Sequence, residues 1–178
     1  DAAQFWDKRF SQPDYVFGRE PNRYLKDQAS IHLKPRAKVL CVADGEGRNS
    51  VWLAKQGMDV EAFDLSRVAV HKAKHLAELE KVKVSLNVAS SNSWNWRSDY
   101  YDAVVAIFIQ FATPNMRIDL FQQMRSSLKP GGIFVLQGYT PKQLEYKTGG
   151  PPDINHLYTT ELIQDLLKGM KVIDWREY

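Results

Sequence analysis

The residues best suited to chemistry sit in one short run, Asp44-Gly45-Glu46-Gly47, and at Asp64, about 20 residues further on. Gly45 and Gly47 let a backbone approach a ligand with no side chain in the way. The run follows an apolar segment and precedes a helical one. That places it at the carboxyl end of a strand, where open α/β sheets bind ligands. Asp64 closes the next apolar segment. A carboxylate there can accept hydrogen bonds from both hydroxyls of a ribose. A two-glycine turn alone is weak, but strand, turn, helix, strand and acid in series specify a nucleoside-cofactor site.

Short apolar runs alternating with helical stretches must position these groups. Strands are predicted over 38–43, 58–63, 83–88, 101–108, 133–138 and 171–175. Helices are predicted over 21–33 with Pro21 in the first turn, 48–56 stopped by Gly57, 66–80 capped by Ser66, 113–128 opened by Thr113-Pro114, and 159–167 capped by Thr159 or Thr160. The fold class is α/β: a doubly wound, mostly parallel sheet with helices on both faces. One domain, 1–178, is expected. Residues 1–36 form an aromatic-rich lid or helix segment (Phe5, Trp6, Phe10, Tyr15, Phe17, Tyr24), and 37–178 form the cofactor-binding core.

The chain has 178 residues, 44% hydrophobic and 25% charged, which is ordinary globular composition. No apolar stretch approaches the roughly 20 residues of a membrane span. No secretory signal opens the chain; the first residue is Asp1, which suggests processing or trimming. The single cysteine, Cys41, excludes an internal disulfide framework and points to a reducing, cytoplasmic setting. It lies mid-strand, where a buried inert thiol is expected. Net charge is +3, with 24 basic and 21 acidic residues interspersed, so no nucleic-acid partner is expected. His71 and His75 have metal-pair spacing. They stand among Lys72, Lys74, Glu78 and Glu80 and read as a solvated face, so no metal is expected.

A dinucleotide site wants a third glycine, and Ser50 stands there; Asp44 and Glu46 would also repel a pyrophosphate. Two acids suit a cationic ligand. S-adenosylmethionine carries a sulfonium and an ammonium and has no phosphate. The run VLCVADGEGRNSVWLA, the Asp64-Leu65-Ser66 strand end and the LKPGG of 128–132 resemble class I S-adenosylmethionine-dependent methyltransferases. FWDKRF, YVFGREPN, GEGRNSVWLAKQG and YKTGGPPD resemble the small tellurite-resistance-like or thiol-type members. The resemblance spans nearly the whole chain.

That resemblance implies particular roles. Ala43, Asp44, Gly45 and Gly47 would wrap the methionine part of the cofactor. Asp64 would hold the ribose, Leu65 would flank the adenine, and Ser90 and Ser91 would contact it. Ile107 and Phe108 would line the methyl-transfer side. Tyr15, Phe17 and Gly18 would close over the cofactor. The chain departs from the pattern where Cys41 replaces the usual first acid, Ala43 the usual first glycine, and Ser90 a common Asp.

Methyl transfer from a sulfonium is an in-line displacement that positioning alone can promote. A thiol of pKa roughly 8.5 needs little help from a base, and no catalytic residue is evident. The expected acceptor is a small molecule, a thiol or chalcogen compound. The Asn-Pro-Pro-aromatic motif of base- and amide-methylating enzymes is absent. Gln110, Tyr139 and Tyr146 are candidate acceptor contacts, with strand-end capping as their alternative, and His156 is a weaker candidate. Trp94 and Trp96 either cover the adenine or anchor their loop, with packing favoured. Two rival functions remain: a non-catalytic module that senses S-adenosylmethionine or S-adenosylhomocysteine, and a nicotinamide-dependent reductase. The methyltransferase class has seven strands, the last antiparallel. Six are predicted here, so the chain is expected to be truncated, to receive a strand from a partner, or to shift strand six beside strand five.

Overall fold

A computed structural model describes residues 1–147 and 150–178. Its centre is a five-stranded, wholly parallel sheet in the order β3-β2-β1-β4-β5. The strands are β1 (Lys38–Val42), β2 (Asp59–Asp64), β3 (Ser85–Val88), β4 (Tyr101–Ile107) and β5 (Leu128–Gln137). The helices are α1 (Ala2–Phe10), α2 (Arg23–His32), α3 (Arg48–Lys55), α4 (Arg67–Leu79), α5 (Pro114–Ser127), α6 (Gln143–Tyr146) and α7 (Thr160–Leu166).

The near-continuous apolar strands are apolar because both sheet faces are covered. Val39, Cys41, Val60, Ala62, Ala103 and Val105 face one way, against Leu25 and Ala29 of α2 and Leu53 of α3. Leu40, Val42, Phe63, Val104 and Ala106 face the other, against Leu120, Phe121 and Met124 of α5 and Ile163 of α7. Alternate residues of one strand thus feed two cores. Cys41 is buried and free, and burial pushes its thiol well up, as an inert core residue requires.

Capping fixes where the helices begin. The side chains of Ser66, Thr113 and Thr159 accept from Ala69 N–H, Met116 N–H and Leu162 N–H, as the sequence predicts. Helix α2 starts later than expected: Asn22 caps it, accepting from Leu25 N–H, and Pro21 lies outside. In β5, Leu128 pairs with Tyr101 and Ile133 with Ala103, so the predicted turn at 129–132 is a bulge in the ladder.

The predicted sixth strand does not form. Residues 171–175 are irregular and pair with no strand among the described residues, so strand six does not move beside β5. Val172 and Ile173 are 61% and 57% exposed, so an alternating apolar pattern gains nothing from pairing here. The segment is tied instead by Tyr24 Oη, which donates to Asp174 Oδ2 at 2.9 Å. No helix among the described residues is long and apolar enough to cross a membrane.

Candidate cofactor and methyl-transfer site

Parallel register sets the ends of β1, β2 and β4 side by side. The Asp44 N–H donates to Phe63 O at 3.1 Å, and the Ala89 N–H to Asp64 O at 3.0 Å. The turn after β1, the acid ending β2 and the loop after β3 therefore share one rim. Asp64 is buried. Its Oδ2 accepts from Gly45 N–H and its Oδ1 from Ser66 N–H, both at 2.9 Å. Burial raises its pKa, and the two backbone donors oppose the rise. Each oxygen keeps a free lone pair for a further donor.

Asp44 is the unusual group. Its Oδ2 accepts from the Ser50 hydroxyl at 2.5 Å, while its Oδ1 is sealed from solvent without a hydrogen-bond partner. Desolvation pushes its pKa up to about 8, Ser50 opposing the rise and Asp64 adding to it. A carboxylate held like this is stabilised by a cation.

Glu46, expected to add negative charge to the cleft, does not. It is buried, accepts from Val16 N–H at 2.8 Å and pairs with Lys72 Nζ at 2.5 Å. Lys72 also donates to the carbonyls of Phe10 (3.0 Å), Gln12 (3.0 Å) and Asp14 (2.7 Å). The Tyr15 hydroxyl donates to Lys72 O at 3.1 Å. One lysine on α4 thus anchors the whole N-terminal segment. Asp7 of α1 makes a second anchor, accepting from the Ser66 hydroxyl at 2.6 Å. The sequence placed Lys72 on a solvated face; it missed this role because its partners are backbone carbonyls far away in the chain.

The two glycines have different work. Gly45 has φ +63, and a Cβ there would meet only Phe10 Cζ, at 3.7 Å. Gly47 has φ +88, and a Cβ would stand 2.7 Å from Ala73 Cβ. Its missing side chain admits α4 against α3. Ala43 and Phe108 also hold positive φ, +50 and +56, at the ends of β1 and β4. Such strain gathers where a rim is shaped for a ligand.

On the N-terminal side, Phe17 is half-exposed and packs edge-on to Phe10, with the Arg9 guanidinium over its ring. Gly18 closes a turn, donating to Tyr15 O at 3.1 Å. Tyr15 packs on the α3–α4 cluster rather than standing free. Leu65 is half-buried beside Asp64. Ser90 exchanges hydrogen bonds with Ser93, and Ser91 O accepts from Trp96 Nε1 at 2.9 Å. Trp94 stacks on Phe63 at 4.8 Å and Trp96 meets it edge-on, so both tryptophans anchor the loop.

On the opposite rim, Ile107 is buried and Phe108 stacks on Tyr139 at 4.8 Å. Gln110 is fully engaged: it accepts from Tyr139 N–H at 2.6 Å and donates to Tyr139 O and His156 O at 2.8 and 3.0 Å. His156 Nδ1 lies 3.1 Å from Gln110 O. Gln110 therefore joins strand ends, the capping alternative. Tyr146 ends α6 in solvent and is not brought to the rim. Thr148 and Gly149 of the YKTGGPPD run lie outside the described residues. Among the described residues, no cluster of His, Cys, Asp and Glu could hold a metal.

Arg48 is a further residue that sequence reasoning passed over. It opens α3, it is half-buried, and it is electrostatically coupled to both Asp44 and Tyr139. A cation in the first turn opposes the helix dipole. That anomaly was legible in the sequence.

Fold and rim together define a doubly wound α/β protein built to hold a nucleoside cofactor with a cationic end. The chain belongs to the methyltransferase domain family, whose model matches residues 39–132. It is of the S-adenosylmethionine-dependent class, and S-adenosylmethionine is its cofactor. The orphaned Asp44 oxygen and the Asp64 acceptors fit that molecule's ammonium and ribose.

The chain is 32% identical over 134 residues to ribosomal protein L11 methyltransferase of Bacillus pumilus, covering 74% of this chain and 42% of the relative. It is 27% identical over 104 residues to a tRNA (uracil(54)-C(5))-methyltransferase of Pyrococcus abyssi, covering 51% and 25%. The chain thus spans less than half the length of the curated relatives it matches. TehB from Haemophilus influenzae has the same fold, with a TM-score of 0.73 at 20% identity, covering 99% of this chain and 58% of that one. These relatives correct one expectation. Two are named for a ribosomal protein and a tRNA, so the exclusion of nucleic acid and the assignment of a small-molecule acceptor do not stand. Balanced net charge misled, because it says nothing about partners that a separate region could recognise.

Proposed function

We propose that this chain transfers a methyl group from S-adenosylmethionine to a thiol or other chalcogen nucleophile, as the tellurite-resistance-like, thiol-type resemblance implies. One observation carries the cofactor half: Asp44 keeps a sealed, unpartnered carboxylate oxygen beside Asp64 on the rim of the sheet. When bound, the cofactor supplies an electrophilic methyl on a sulfonium.

The chain's own residues do the rest. Ala43, Asp44 and Gly45 line the methionine end, and Gly47 keeps that turn against α4. Asp64 accepts from the ribose hydroxyls, with Leu65, Ser90 and Ser91 beside the adenine. Tyr15, Phe17 and Gly18, held down through Lys72 and Glu46, cover the site and exclude water. Ile107, Phe108 and Tyr139 form the wall that the nucleophile passes.

The chalcogen assignment rests on what this wall offers. Gln110 and His156 are spent on each other and on Tyr139, so no free base stands there among the described residues. A thiolate needs none.

The test is transfer of labelled methyl from S-adenosylmethionine to free thiols and, in parallel, to ribosomal protein and tRNA. Labelling of thiols, free or protein-borne, is expected. Labelling confined to amine, amide or base nitrogen would overturn the chalcogen reading. Binding without transfer to any acceptor would favour a sensor. Calorimetry that detected NADH and not S-adenosylhomocysteine would overturn the cofactor reading.

A further inference from the structure

Asp44 and Arg48 carry opposite charges near the same rim, and each feels the other's field. They nevertheless do not pair: no ion pair joins them, and Asp44 Oδ1 has no partner at all. Among the described residues Arg48 makes no side-chain hydrogen bond or ion pair either. A half-buried guanidinium without a partner is costly. Its place in the first turn of α3 adds an unfavourable dipole term. Nothing in the packing of α3 repays this, since the buried face of that helix is built from Asn49, Ser50, Val51 and Leu53.

Two opposite charges held apart, each unsatisfied, match a ligand that brings both complements on adjacent atoms. We propose that Asp44 and Arg48 form a clasp for an α-amino-acid zwitterion, with the ammonium on Asp44 and the carboxylate on Arg48. This rests on the cofactor reading above, because the homocysteine end of the cofactor is such a zwitterion. It assigns to Arg48 the carboxylate, and it explains why Arg48 tolerates an electrostatically poor position. The planar fork of arginine suits a carboxylate, which it can grip through two parallel hydrogen bonds.

The experiment is calorimetry with three probes: S-adenosylhomocysteine, the same molecule without its carboxylate, and methylthioadenosine, which lacks the whole amino-acid end. For the unmodified protein, removal of the carboxylate is expected to weaken binding about ten- to hundredfold, as for a charge-assisted pair. Arg48→Met is expected to weaken S-adenosylhomocysteine by a similar factor and to leave methylthioadenosine within about twofold. Arg48→Lys should recover part of the loss.

Equal affinity of the unmodified protein for the first two probes overturns the clasp, and needs no variant to fold. A parallel loss of all probes in Arg48→Met makes Arg48 structural, and also overturns it. Unchanged S-adenosylhomocysteine binding with a raised acceptor KM would move Arg48 to the acceptor side. Failure of the unmodified protein to bind S-adenosylhomocysteine would strike the cofactor reading itself.

Discussion

Asp44→Asn should stabilise the protein while weakening its cofactor binding. Desolvation raises the Asp44 pKa from 3.8 to about 8. In the unfolded chain the carboxyl ionises near its ordinary value. The folded state therefore binds more protons between these limits, and stability falls as pH rises through them. The contribution of the protonated acid is whole below about pH 4 and lost above about pH 8. At about 1.36 kcal/mol per unit, a shift of about four units sets a ceiling of about 5–6 kcal/mol. Only Oδ1 is sealed and the residue as a whole is half-buried, so solvent screening reduces this to about 1–3 kcal/mol. Asparagine keeps an oxygen for the Ser50 hydroxyl and never pays for charge. Thermal melts at pH 8 should rise by roughly 3–8 °C, since a domain of this size gains about 2–4 °C per kcal/mol. At pH 4 the gain should nearly vanish. Calorimetry on the same variant should show S-adenosylhomocysteine bound at least tenfold more weakly, because the amide offers no charge to the ammonium. A variant that melts lower at pH 8, or gains equally at both pH values, would refute the desolvation argument.

Asp64→Ala should weaken S-adenosylhomocysteine at least tenfold by calorimetry, having removed charge-assisted bonds of roughly 1.5–3 kcal/mol; an unchanged Kd would remove Asp64 from the site. Gly47→Ala should cost about 2–4 kcal/mol in urea unfolding, combining left-handed strain with the collision at Ala73. Gly45→Ala, with room beside Phe10, should cost about 1–2 kcal/mol. Lys72→Met leaves buried Glu46 unpaired and should cost about 3 kcal/mol, partly recovered by adding Glu46→Gln. The same single variant should speed amide hydrogen exchange over residues 10–18; unchanged exchange there would show that Lys72 does not hold that segment.

Whatever depends on local pattern was readable before the fold was known. Buried parallel strands must be apolar runs, so β1, β2 and β4 declare themselves. A helix cap is a local bond, so Ser66, Thr113 and Thr159 could be named as caps. Whatever depends on a distant partner was not readable. Glu46 looks like ligand charge until Lys72 arrives from α4, and Lys72 looks solvated until three carbonyls of the N-terminal segment close on it. Gln110 looks free at a strand end until Tyr139 and His156 consume its amide. Residues 171–175 have strand composition but no apolar surface to cover, and composition cannot reveal that. The residues the sequence misread are thus those whose capacity the protein itself spends. Asp44 and Arg48 are left over, and groups left unsatisfied at a folding cost are the ones a ligand completes.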